Sequence, residues 1–285
     1  MSGAESVQGA ALATAGPRNE ASASPGNRAR LWKWAGLLLP VPFFALLELA
    51  VSLGWLSAFL FPPPSDIAQT LWYLAQGPLW EHLGASIARV AAGFSIGAIL
   101  AIVLGSLVGL SKRTEWLLEP TFQGLRAIPS LAWVPLLLLW LGIDETPKIV
   151  LIAIGAFFPV YLNLVSGIHN VDRKLIELGA VYKLSRLALI RRIVIPSALP
   201  ELFSGLRTGL SLAWMFLVAA ELIAASEGLG FLLTDGRETS RPDLVITAIL
   251  LLAVLGKLTD TLITRAETRY LGWRDTLATQ GGNTR

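Results

Sequence analysis

The chain contains no cysteine in its 285 residues. That removes disulfides, thiolate metal ligands and cysteine nucleophiles, and leaves the compartment open. Histidine is nearly as scarce. His82 and His169 stand far apart, at what read as isolated loop positions, and neither has a metal-ligand spacing. No nucleotide-binding loop is present: the Gly-Lys pair Gly256-Lys257 stands in an apolar run, with Leu251 where the first glycine is required. No His-Glu-x-x-His occurs either. No catalytic or metal-binding residue is expected, nor a cofactor held by this chain; any ATP must be hydrolysed by a partner. Charge is thin: 15% of residues are Asp, Glu, Lys or Arg, against about 25% in ordinary soluble domains.

Apolar sequence takes the place of charge. Hydrophobic residues make up 54% of the chain and the mean hydropathy is +0.61. A soluble protein this apolar has too little polar sequence to cover its surface, so the lipid bilayer is the expected solvent. The first thirty residues, rich in Ala, Ser, Gly, Asn, Glu and Arg, are expected to be a disordered cytoplasmic tail and, lacking an apolar core near the start, not a signal peptide. Residues 31–273 form the expected transmembrane domain and 274–285 a second cytoplasmic tail.

Six apolar segments follow the first tail: Leu31–Trp55, Ser86–Leu110, Trp116–Leu141, Lys148–Ile168, Leu199–Ala225 and Leu244–Ile263. Each approaches the roughly 20 residues a helix needs to cross the hydrocarbon layer. Spanning segments must satisfy their own backbone, and these lack the alternation of barrel strands. The expected fold class is therefore an all-α integral membrane protein with six transmembrane helices. No internal repeat relates the halves, which disfavours secondary transporters built from inverted repeats.

Basic residues orient the spans. With the N-terminus inside, the cytoplasmic segments hold Arg18, Arg28, Arg30, Lys33, Lys112, Arg113, Arg173, Lys174, Lys183, Arg186, Arg191, Arg192, Arg265, Arg269, Arg274 and Arg285. The other side holds Arg237 and Arg241, with Arg89 and Lys148 near helix ends, and collects Asp144, Glu145, Glu227, Asp235, Glu238 and Asp243. Both termini are thus placed in the cytoplasm. In the first outer loop, Pro62-Pro63-Pro64-Ser65-Asp66 reads as a turn followed by a helix cap. Residues 67–75 then suit a short amphipathic helix at the membrane surface, or a plain loop.

The loop between the fourth and fifth spans, residues 172–196, is too polar to cross a membrane. Leu175, Leu178, Val181 and Tyr182 fall at helical spacing, as do Leu187, Ile190, Ile193 and Val194 after a break at Lys183–Ser185. Ser185 suits a cap for the second stretch. Two short amphipathic helices joined by a bend are expected. They serve either as a surface for another protein or as an interfacial connection between spans.

This loop resembles the cytoplasmic EAA coupling loop of ABC importer permeases. Glu177 takes the first place, followed by Leu178, Gly179 and Ala180; Ile193 stands sixteen positions on, and Ile195-Pro196 occupies the place of Leu-Pro. The usual glycine is replaced by Lys183, followed by Leu184-Ser185 as in the nitrate and bicarbonate branch. A lysine there argues against a bend that depends on glycine's φ freedom. Further stretches resemble the aliphatic sulfonate permeases, over about residues 35–275: Gly93-Phe94-Ser95-Ile96-Gly97, Leu125-Arg126-Ala127-Ile128-Pro129, Trp140-Leu141-Gly142-Ile143-Asp144-Glu145, Phe158-Pro159-Val160-Tyr161, Ala219-Ala220-Glu221 and Gly228-Leu229-Gly230-Phe231. The resemblance implies a type I ABC importer permease of the inner membrane. It implies a homodimer whose loops dock on two cytoplasmic ATPases, a periplasmic binding protein that delivers a small organic anion (aliphatic sulfonate, or taurine, nitrate or bicarbonate), and no nucleic-acid partner.

Charges at membrane depth face protein or water. Arg126 is read as an anion attractant on the pathway, or as a packing residue that pairs with a carboxylate such as Glu221. Arg207, Glu221 and Glu48 also fall inside spans, and Lys257 and Asp260 are spaced to pair. Glu177 is expected to pair with basic residues of a partner, to cap a helix of its own loop, or to be solvated. Gly93-x-x-x-Gly97 and Gly105-x-x-x-Gly109 allow close helix approach, within one subunit or between two.

Overall fold

The computed structural model describes residues 40–272. Both expected tails, and residues 31–39 of the first expected span, lie outside them. The described chain is helical throughout: α1 (Pro40–Ser52), α2 (Pro64–Ala75), α3 (Pro78–Leu110), α4 (Lys112–Ala127), α5 (Val134–Leu141), α6 (Glu145–His169), α7 (Arg173–Val181), α8 (Arg186–Leu189), α9 (Ile195–Ala224), α10 (Leu229–Glu238) and α11 (Pro242–Tyr270).

Among the described residues, four helices are long and apolar enough to cross a membrane, against six expected spans: α3, α6, the continuous run from Arg186 to Ile223, and α11; a bent pair makes up to five. α3 begins eight residues before the expected Ser86, because Pro78 opens its first turn, where a missing N–H costs nothing. The third expected span is not one helix. α4 and the Ser130–Leu141 stretch meet at 87°. Pro129 is the cause: it forces Ile128 into extended backbone (φ −79°, ψ 122°), since the ring excludes the helical region for the residue before it.

α6 is the central helix. It packs along α3 on one side and α9 on the other. A Cβ on Gly97 would strike the backbone carbonyl of Ala153, and one on Gly93 or Gly109 would strike Ile152 or Ile168. The two glycine pairs of α3 therefore serve packing within the subunit. The spacing of Gly93, Ser95 and Gly97 also matches the Gly-x-Ser-x-Gly of serine hydrolases. Here it lies mid-helix rather than at the strand-to-helix turn such a nucleophile needs. Ile152, Ala156, Ala213 and Leu217 fill the junction of the three helices and are inaccessible to solvent.

The short elements depart from expectation in instructive ways. α2 exists, but its first turn is not capped by its own Ser or Asp. Glu48 of α1 accepts from the Ser65 N–H (3.1 Å) and hydroxyl (2.9 Å), which accounts for a carboxylate in an apolar helix. Both histidines are helical rather than in loops: His82 lies in α3 and His169 ends α6. The second half of the 172–196 loop is not a separate helix. α8 continues through a π turn, Ile190–Val194, into α9. Pro196 lies just beyond, and the wider turn contains Arg192, whose carbonyl its ring displaces; Pro200 lies further into α9.

Candidate functional site

Two features are candidate functional sites, at opposite ends of the bundle. The first is a buried ionic cluster where α3, α6 and α9 end near the 225–230 loop. Ser86 and Arg89 share one face of α3, three residues apart. Glu221 lies in the last turn of α9 and Glu145 opens α6. Arg89 Nη1 donates to Glu221 Oε1 (2.7 Å) and to the Glu227 carbonyl (2.7 Å). Its Nε and Nη2 clasp both oxygens of Glu145, the latter at 2.8 Å. Lys148 Nζ adds a second cation to Glu145 at 2.8 Å.

Glu221 is 1% exposed. It accepts from the Ser86 hydroxyl (2.8 Å) and from the Gly230 N–H (2.7 Å). Ser86 Oγ in turn accepts from the Leu229 N–H (2.8 Å), and His82 Nδ1 from the Gly228 N–H (3.1 Å). The loop is thus folded around one carboxylate. Gly228 has φ +122°, and a Cβ there or on Gly230 would run into Glu221. A buried charge is tolerated only with this kind of complete pairing. Arg89 has no fork left for a free anion, and the cluster ties the first third of α3 to the start of α6 and the end of α9.

Sequence reasoning singled out Glu221 and offered Arg126 as one partner for it; the structure pairs it with Arg89 instead. Arg126 ends α4, is exposed, and makes no ion pair among the described residues. The carboxylate belongs to Arg89, which had been noted only as a charge near a helix end. The signal was present: Ser86 and Arg89 are polar positions one turn apart in an apolar run, as buried partners would be. Arg207 pairs with Asp260 at 3.0 Å, and Lys257 is the more distant partner of Asp260 at 3.7 Å.

The second feature is the α7–α8 unit. Asp172 caps α7 by accepting from the Lys174 N–H (2.8 Å), and Ser185 caps α8 by accepting from the Ala188 N–H (3.3 Å). Glu177 caps neither; it accepts from Arg173 one turn away at 3.1 Å, and both side chains are exposed. Gly179 is buried, with Leu189 and Ile193 where a Cβ would stand, so the small residue at that place is a packing requirement. Leu184, Ile193 and Pro196 lie half-buried beneath the unit, and Ala180 and Lys183 are exposed. Lys183 adopts φ +50°. The bend does use the left-handed region, against the expectation drawn from a lysine there. The Leu184 N–H, bonded back to the Gly179 carbonyl at 3.0 Å, fixes the turn that requires it.

The unit leaves its apolar side chains uncovered. Leu178, Val181, Tyr182 and Leu187 are 50–76% exposed. They gather at the end of the bundle where Arg186 also reaches the last carbonyl of α3. Leu178, Val181 and Tyr182 stand one turn apart on α7 and its end, and apolar side chains exposed together on a polar loop mark a protein or membrane contact.

The chain is a multi-helix membrane body with a capped, apolar-faced loop at one end. Residues 93–272 match the family described as binding-protein-dependent transport system inner membrane component, and the chain belongs to that family. It is 43% identical over 263 residues to a putative aliphatic sulfonates transport permease protein SsuC from Bacillus subtilis (strain 168), covering 91% of this chain and 95% of that one. It is 44% identical to the protein of the same name from Escherichia coli (strain K12), covering 85% and 94%. Its fold matches an inward-facing structure of the MetNI methionine ABC transporter with a TM-score of 0.53 at 18% identity, over 70% of this chain and 97% of that one. The chain is a permease subunit of an ABC importer.

Proposed function

We propose that two copies of this chain form the transmembrane core of an ATP-driven importer for aliphatic sulfonates. Each copy has six spans, with both termini and the α7–α8 unit in the cytoplasm. The unit docks on a cytoplasmic ATPase, one per copy, while a periplasmic binding protein delivers the anion to the opposite face, where the Arg89 cluster lies. The observation that carries the docking role is the uncovered apolar surface of Leu178, Val181, Tyr182 and Leu187 on a capped, rigid unit. Rigid-body movement of such a unit is a means of passing closure of the ATPases to the spans. The basic residues of this loop support its cytoplasmic side, and the relatives' names support the substrate.

Growth of a deletion strain on an alkanesulfonate as sole sulfur source, against growth on sulfate, tests the substrate. Loss on the sulfonate alone, restored by the gene, supports it. Normal growth on both, in a strain without a redundant importer, moves the substrate to taurine, nitrate or bicarbonate, the last two favoured by Lys183-Leu184-Ser185. Glu177→Lys tests docking: transport is expected to be lost with membrane insertion intact, and normal uptake would overturn the assignment.

A further inference from the structure

α9 carries a face that lipid does not suit. At 100° per residue, Ser204, Arg207, Thr208, Ser211, Met215 and Leu222 fall within about 120° of one another. All six are exposed, and the run they belong to has the lowest hydropathy of the four long candidate spans, 1.5 against 1.9–2.2. Measured from the Ala224 end at 1.5 Å per residue, Ser211, Thr208 and Arg207 lie ~20, ~24 and ~26 Å along the helix, within a hydrocarbon layer ~30 Å thick. Arg207 and its partner Asp260 of α11 keep 43% and 27% of their side-chain surface exposed at that depth. An ion pair this open is stable in water or against protein and unstable against lipid tails.

Polarity on this face stops abruptly. Below Ser211 it is hydroxyl and charge; from Met215 toward Ala224 it is apolar, with Met215 51% and Leu222 44% exposed. Ser211 donates to the Arg207 carbonyl (3.1 Å) and Thr208 to the Ser204 carbonyl (3.0 Å). These hydroxyl protons are committed to the helix's own backbone. Thr208 and Ser211 thus offer acceptor lone pairs to water, and the donors left on this face are the Ser204 hydroxyl and the Arg207 guanidinium, which Asp260 holds through Nε.

We infer that Ser204, Thr208 and Ser211 line a water-filled vestibule open toward the α7–α8 end, and that Met215 marks where the water stops. The vestibule is the exit half of the passage, where a small anion leaves with its hydration past the exposed Arg207–Asp260 pair. This rests on the proposed importer role and orientation.

Because the chain has no cysteine, single substitutions report directly. Ser204→Cys, Thr208→Cys, Ser211→Cys, Met215→Cys and Leu222→Cys are placed in the assembled transporter, in inverted and right-side-out membrane vesicles. They are treated with the impermeant anion 2-sulfonatoethyl methanethiosulfonate or the permeant N-ethylmaleimide. Only a hydrated thiol ionises and reacts readily, so the first three are expected to be modified at least about tenfold faster than Met215→Cys and Leu222→Cys in inverted vesicles. Reaction confined to N-ethylmaleimide, or equal rates at all five, overturns the vestibule. Spontaneous disulfides between copies at positions 204 and 211 also overturn it, by making the face a subunit contact. The same pattern in right-side-out vesicles alone overturns the orientation while keeping the wet face, and none of these readings depends on which solute is carried.

Discussion

Removing Glu221 tests whether the buried cluster is a brace. The carboxylate accepts from Ser86, Arg89 and Gly230 and is 1% exposed. Glu221→Ala leaves the Arg89 guanidinium, itself 3% exposed, beside an empty carboxylate site, and strands the Ser86 hydroxyl and the Gly230 N–H. Breaking a buried pair from one side costs about 3–5 kcal/mol, or roughly two to three and a half decades in the unfolding equilibrium. Glu145 holds the same arginine with two hydrogen bonds, yet its side chain is 53% exposed. Water takes over much of its role, so Glu145→Ala is expected to cost about 1 kcal/mol. The assay is unfolding in mixed micelles followed by the fluorescence of the tryptophans, of which the chain has ten. Replacing both ends of the inner pair, Arg89→Met with Glu221→Leu, is expected to recover part of the loss, since an apolar pair of similar volume needs no partner. A Glu221→Ala protein as stable as the parent, or Glu145→Ala as the costlier change, would refute the brace.

Three further outcomes follow from the geometry. Lys183→Gly is expected to stabilise the α7–α8 unit by about 1 kcal/mol, because the left-handed backbone penalises any side chain; slower hydrogen exchange at the Leu184 N–H would show it, and Lys183→Ala is expected to leave that rate unchanged. Gly228→Ala is expected to match Glu221→Ala in lost stability, since the new methyl meets the carboxylate at φ +122°; folded protein recovered in detergent measures it. Gly97→Leu is expected to push α3 from α6 and destabilise the bundle by about 1–3 kcal/mol, whereas Gly124→Leu, at a glycine with open space around it, is expected to be neutral in the same unfolding measurement.

Long apolar runs made α3, α6, α9 and α11 legible, because burial in lipid writes itself as continuous hydropathy. The break at Pro129 was less so. A proline inside a span predicts a loosened helix, but whether it kinks or turns through 87° is decided by what packs around it. The caps Asp172 and Ser185 are local chemistry within three residues, and Ser185 was legible for that reason. The pairing of Arg89 with Glu221 joins residues 132 apart. Charge and depth alone offered Arg126 for this carboxylate, and only the packing of α3 beside α9 brings Arg89 to it. Lys183 misled because residue type is a weak guide to φ where the neighbouring helix ends dictate the turn.

The helix that starts at Arg186 in the loop does not stop at the membrane surface. It runs to Ile223, 38 residues in all, about 57 Å at 1.5 Å per residue. Its near end carries exposed Leu187 and its far end the Glu221 carboxylate, so the two features at opposite faces of the molecule are the handle and the pivot of one lever. Under the proposed docking role, a push at Leu187 acts at one end of this shaft, and α6, packed along it, and the Glu221 cluster at the other end resist its swing. The π turn at Ile190–Val194 and Pro200 set how much of that swing is absorbed as bending before it reaches the apolar upper half of the helix.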